Sequence, residues 1–133
     1  MIKTEFNHQT GVLITKFEGD VTLKEIVDYI VATKKNKSYP RVLKILTDAT
    51  KSNMLLIPQD LEIIVEENYK SIAEYDYIID AIVLDSPKDT ALSILYQQLA
   101  KTKKYKFQIF STQEAAIHWL ESINPKKVSQ KTE

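Results

Sequence analysis

The 133-residue chain predicts an α/β domain with a five-stranded mixed sheet flanked by helices, and three observations point to it. Two runs that alternate apolar and polar residues open the chain, the pattern of paired strands with one buried face. Stretches with apolar residues three and four apart then alternate with short apolar runs, as helices alternate with buried strands. Helix-start signals stand where strand gives way to helix. The resulting order is an opening β-hairpin followed by alternation, ββαβαβαβα. Right-handed crossovers make the later strands parallel in one sheet.

Each element has its own justification. Ile2, Thr4 and Phe6 alternate with Lys3, Glu5 and Asn7, and residues 12–17 alternate again after Gln9-Thr10-Gly11, which makes a hairpin. From Thr22 the period lengthens, with Leu23, Ile26, Val27 and Ile30 on one helical face. Thr22 and Glu25 form a capping box, and Lys34, Lys35 and Lys37 close the helix, where positive charge suits its dipole. Pro40 interrupts the chain, and Val42, Leu43, Ile45 and Leu46 read as a short buried strand ending at Thr47-Asp48. A second helix is expected from near Pro58 to near Tyr75, with Leu61, Ile64, Val65 and Ile72 inward.

Residues 81–84 are the most apolar strand, and Ser86, Pro87 and Asp89 then supply a cap, a first-position proline and an acid for a third helix. Its buried face is expected at Ala91, Leu92, Leu95 and Leu99. Residues 107–110 form the last strand. Ser111 and Glu114 make a second capping box before a helix that buries Ala116, Trp119, Leu120 and Ile123. One domain thus spans residues 1–124, while residues 125–133 have almost nothing to bury and are expected to be disordered.

Composition narrows the function classes. At 44% hydrophobic and 27% charged, the chain suits one globular domain. Its formal net charge of +0 gives no overall field to attract nucleic acid or an anionic membrane. Cysteine is absent, which removes disulfides, thiol catalysis and cysteine-rich zinc sites. Residues 2–8 are neither a signal peptide nor the start of a membrane span, so a cytoplasmic location is the expectation. No nucleophile elbow, phosphate loop or dinucleotide fingerprint occurs, so neither an enzyme activity nor a cofactor is expected.

The hairpin, "GDVTLKEI" at the first helix, "AIVLDSPKDTALS" and the closing "FQIFSTQEAAIHWL" together resemble the small STAS-like proteins, relatives of anti-sigma-factor antagonists. The resemblance covers residues 2–123 and rests on caps and core positions, so it speaks to fold more than function. It implies a role in binding another protein, or a second copy of the chain, without catalysis. Classical antagonists carry a phosphorylated serine at the start of the helix after the third strand, within an Asp-Ser-Ser-Gly-like motif. Here the region reads "DATKSNMLLIP": Asp48 matches the strand-end acid, Ser52 lies nearby, and no serine pair or glycine precedes the helix. The resemblance therefore does not carry the phosphoswitch over.

Candidate sites follow from both readings. Asp48, Thr50 and Ser52 with Met54, Leu55 and Leu56 form a candidate partner-binding segment, a polar rim beside an apolar run. Asp20, Asp48 and Asp85 at strand ends, with Ser86, are where an α/β sheet collects ligands, and three carboxylates there would suit Mg²⁺. Strand ends and helix caps explain the same residues without a ligand, so no metal site is assigned. Asn68 falls on the apolar face of the second helix, where it either bonds a backbone group or lines a cavity. His8 and His118 are expected to face solvent, and the lysines of residues 34–37 and 101–106 to follow helix ends, without nucleic-acid binding. The expected function is a non-enzymatic protein-interaction or regulatory module. The alternatives are a small-molecule or lipid-binding domain with a pocket between sheet and helices, and an enzyme using the acidic rim.

Overall fold

The computed structural model describes residues 1–123, so the expected disorder of residues 125–133 lies outside the described part. Nine elements follow the expected order: β1 (Ile2–Asn7), β2 (Val12–Thr22), α1 (Leu23–Lys35), β3 (Val42–Leu55), α2 (Asp60–Ile72), β4 (Tyr77–Val83), α3 (Pro87–Leu99), β5 (Tyr105–Phe110) and α4 (Gln113–Ser122).

The strands form one sheet in the order β1-β2-β3-β4-β5. β1 is antiparallel to β2 and the other pairs are parallel. The hairpin turn is held by Asn7, whose Oδ1 accepts from the amides of Gln9 at 2.9 Å and Thr10 at 3.1 Å, and Gly11 takes a φ of +73° there. Each parallel strand is laid beside the one before it. Three right-handed crossovers in the same direction put α1, α2 and α3 on one face of the sheet. Leu13, Leu43, Ile45 and Ile78 meet those helices there. On the other face α4 lays Ala116 and Leu120 over Leu46, Ile79, Ala81 and Val83. β4 is thus covered on both faces, which explains its near-continuous apolar sequence.

Local signals act as expected in most places. Thr22 and Glu25 exchange the capping-box bonds, and Ser86 Oγ accepts from the Asp89 amide at 3.1 Å. Elsewhere the structure corrects the sequence reading. β3 does not stop at Asp48: it runs to Leu55, because β2 itself continues past a register shift between Lys16 and Glu18 and pairs Gly19–Thr22 with residues 52–55. Gly19, at φ +65°, takes up the local twist without the penalty a side chain would add. α2 begins at Asp60, whose carboxylate accepts from the Ile57 amide at 3.0 Å, so Pro58 belongs to the preceding turn. The cap of α4 is Thr112, accepting from Ala115, one residue after Ser111.

Two faces are also corrected. α3 turns Asp89, Leu92 and Ser93 inward, leaving Ala91, Leu95 and Leu99 exposed. Trp119, expected in the core, is half-buried at the edge of α4, with its ring 5.5 Å from that of Phe110.

Candidate functional site

The face that carries α1, α2 and α3 is not closed-packed. A cavity of about 110 Å³ lies between these helices and the sheet and is partly open to the surface. Protein interiors rarely hold voids larger than a water molecule.

The cavity follows from particular residues. Phe17, Ile45, Thr47, Asp80, Ile82 and Phe107 form its floor on the sheet, and Ile26, Tyr29, Leu61, Ile64, Leu92 and Tyr96 its roof. Positions on the inward helix faces where a large apolar side chain would fill the space carry Thr33 in α1, Asn68 and Ser71 in α2, and Ser93 in α3. Small and polar residues at inward positions leave the space unfilled.

Polar groups in the walls are paired with one another. Asn68 donates its amide to the Tyr96 hydroxyl at 2.5 Å, and Tyr96 shares a hydrogen bond of 3.0 Å with the Tyr105 hydroxyl. Thr15 and Tyr29 share another of 3.0 Å between their hydroxyls. Thr47 donates to Asp80 Oδ1 at 3.0 Å. Among the described residues no protein donor reaches Asp80 Oδ2, yet no enclosed side-chain oxygen or nitrogen lacks a partner. Oδ2 therefore keeps accessible surface, and Asp80 lines the cavity.

Among the described residues Asp80 is also the only carboxylate in the wall. Burial pushes its pKa up to about 7, and the Thr47 hydroxyl only partly opposes the shift. Burial likewise raises the phenols of Tyr29, Tyr96 and Tyr105, with the Asp80 carboxylate adding to the effect, so all three stay neutral. No lysine, arginine or histidine lines the cavity among the described residues. The result is an apolar, aromatic chamber with hydroxyl and amide groups and a single titratable acid.

Of the residues singled out from sequence, Asn68, Met54 and Leu56 line the cavity, and the others lie apart from it. Asn68 lines the cavity and bonds a tyrosine hydroxyl, not a backbone group. Met54 is a core residue, 5% exposed, because β3 carries it under the helices, so it is no part of an exposed surface. Its backbone is clasped by the start of α3: its amide donates to the Asp89 carboxylate, at 3.3 Å to Oδ2, and its carbonyl accepts from Lys88 at 2.9 Å. Leu55 is exposed and Leu56 half-buried against the core.

Asp48 lies within β3, on the α4 side of the sheet, away from the cavity. Thr50 donates to it from its hydroxyl at 2.7 Å and its amide at 3.0 Å, and Gln113 from α4 at 2.7 Å. Partial burial pushes the Asp48 pKa up, but these bonds, with Lys16 nearby, bring it below the usual carboxylate range. Ser52 donates to the Ala49 carbonyl, Asp20 accepts from Asn53, Asp85 is exposed, and Ser86 is the α3 cap. Among the described residues no group of three or more histidines or acids is placed to hold a metal, so the acidic rim does not converge. His8 and His118 are both exposed, His8 in the hairpin turn after β1.

Asp80 was missed because "YIIDAIVL" reads as an apolar strand beginning after the acid. The signal was there: Ile78, Asp80 and Ile82 alternate with Tyr77, Ile79 and Ala81, so a strand long enough to include them must bury the acid on one face.

No family model matches the chain, and no curated protein does. Solved structures similar to it include an uncharacterised protein from the DUF3478 family with a SpoIIAA-like fold, from Shewanella loihica PV-4. Its TM-score is 0.58 at 16% identity, covering 90% of this chain and 92% of that one. The fold of this chain is SpoIIAA-like, and therefore STAS-like, as its ββαβαβαβα order and five-stranded mixed sheet require. No helix among the described residues is long and apolar enough to cross a membrane.

Proposed function

We propose that this protein is a non-catalytic binding domain that holds a small, mostly apolar molecule carrying one polar group in the cavity between α1, α2, α3 and the sheet. The observation that carries this reading is the combination of an unfilled 110 Å³ space with polar residues set around apolar walls. A cavity of this scale suits a single ring or a short alkyl chain, since a wholly apolar one of about 150 Å³ accepts benzene. Apolar walls supply most of the affinity, and a few placed polar groups fix orientation.

Native mass spectrometry of the protein taken from its own source tests this directly. A low-mass species should accompany the folded chain and be released on denaturation. Ser93→Phe, which fills the cavity from α3, should lose it without lowering the melting temperature, as cavity filling commonly stabilises by about 0.5–2 kcal/mol. Retention of the same molecule by Ser93→Phe would place binding elsewhere and sink the reading.

A protein partner, another chain or a second copy, is a further reading. It is supported by Leu55 and Ile57, 49% and 57% exposed at and just beyond the end of β3. Exposed Leu95 and Leu99 on α3, with Tyr69 of α2 bonded to the Leu99 carbonyl, add apolar surface. Ligand occupancy and partner binding are compatible, and a regulatory role would join them.

A further inference from the structure

Resting on the cavity reading, we infer that the polar group of the bound molecule is a cation, an ammonium carried on a small apolar or aromatic body. Among the described residues Asp80 supplies the only formal charge in the walls, and no protein donor reaches its Oδ2. Among the described residues no cationic side chain lines the cavity to neutralise it or to receive an anionic ligand. A carboxylate or phosphate entering here would meet Asp80 in a low-dielectric enclosure, where like charges repel strongly.

An ammonium meets the opposite situation. It can donate to the Asp80 carboxylate, and Asn68, whose amide donates to Tyr96, adds a carbonyl oxygen to the same lining. Five aromatic rings, those of Phe17, Tyr29, Tyr96, Tyr105 and Phe107, line the same space. Aromatic surroundings attract a cation by their quadrupoles, more so when water is excluded. A neutral hydroxyl would gain one hydrogen bond and none of this.

The titratable groups around Asp80 define how binding responds to pH. α1 contributes Tyr29, α3 contributes Tyr96 and β5 contributes Tyr105, all held neutral by burial, while α2 faces the cavity with uncharged Asn68 and Ser71. Among the described residues Asp80 is then the one group in the chamber that changes charge near neutrality. The ammonium binds the ionised form, so its affinity rises with pH through about 7 and falls by up to about tenfold for each pH unit below that. An uncharged ligand has no such slope.

The test compares benzylamine, benzyl alcohol and phenylacetate by calorimetry on the full chain, with toluene as an apolar control. Benzylamine should bind at least about tenfold more tightly than benzyl alcohol at about pH 8, phenylacetate should bind more weakly than either, and Asp80→Asn should bring the amine down to the alcohol. Should Asp80→Asn fail to fold, the pH series of the unaltered protein gives the same answer through loss of amine affinity in acid. Alcohol or phenylacetate binding as tightly as the amine, or amine affinity that is flat with pH, overturns the inference. If benzylamine fails where toluene binds, the cation inference alone falls. If toluene fails too, the cavity reading falls with it.

Discussion

Thr47 and Asp80, on the adjacent strands β3 and β4, are joined by a 3.0 Å hydrogen bond from the threonine hydroxyl to Oδ1, Thr47 buried and Asp80 half-buried beneath the helices. One neutral hydrogen bond does not replace the hydration a carboxylate loses on burial. Asp80 is therefore held near the boundary between its acid and its anion, and the consequences are measurable without knowing the ligand.

The pH dependence of stability comes first. Asp80 rises from 3.8 to about 7 on folding, so between these values the folded protein keeps a proton that the unfolded chain releases. Its contribution is fully present below about pH 4, declines by about 1.4 kcal/mol per unit as pH rises, and is gone above about pH 7. Asp80→Asn lacks this slope. The difference in unfolding free energy between the two proteins should shift in favour of the variant by a few kcal/mol across that window. A constant difference would mean that Asp80 titrates as an exposed acid.

Met54 and Leu55, neighbours in sequence, should behave as opposites. Met54→Ala removes core contacts and should cost about 2–5 kcal/mol. Leu55→Ser, at an exposed position, should change stability by no more than about 0.5 kcal/mol. Sedimentation or pull-down with Leu55→Ser then tests the partner reading separately from the fold. Unaltered association would remove this residue from any interface.

This pair also marks what the sequence could convey. Caps and the 3.6-residue period were legible: Thr22, Glu25 and Ser86 act where expected, and the order of all nine elements follows from them. The extension of β3 was not. Apart from buried Ala49, residues 48–53 are polar because their strand pairs with a continuation of β2 near the surface, and that pairing is non-local. The inward face of α3 was misread for a related reason. Asp89 and Ser93 point inward toward a strand end and a cavity that only the tertiary arrangement creates, so the leucines at positions 95 and 99 are left outside. Asn68 stood out as an amide on an apolar face, but its partner Tyr96 lies 28 residues away.

Asp89 should prove to be a structural tie. Buried at 1% exposure, it receives the Met54 amide and ends the extended strand against α3. Asp89→Ala would leave that amide without its acceptor, at a cost of about 1–3 kcal/mol. Hydrogen exchange at Met54 should accelerate well beyond the change at Leu43, in the same strand but at its other end, away from the start of α3 that Asp89 occupies. Equal acceleration at both sites would indicate global loosening instead.

Trp119 offers a check on the opposite face. Half-buried against Phe110, it should lose less on mutation to alanine than the roughly 3–5 kcal/mol of a fully buried aromatic. Urea unfolding of Trp119→Ala gives the value, and a loss in the full range would show that α4 seats it deeper.

The cavity itself is most directly tested by methyl NMR during titration with toluene. Its six-membered ring matches the scale of the space. Saturable shifts should appear at Ile26, Ile64, Ile82 and Leu92, which line the cavity, and be absent at Leu46, Ile79, Val83 and Leu120, which pack beneath α4. Shifts confined to the exposed Leu95 and Leu99, or none at saturating toluene, would contradict a ligand chamber between the helices and the sheet.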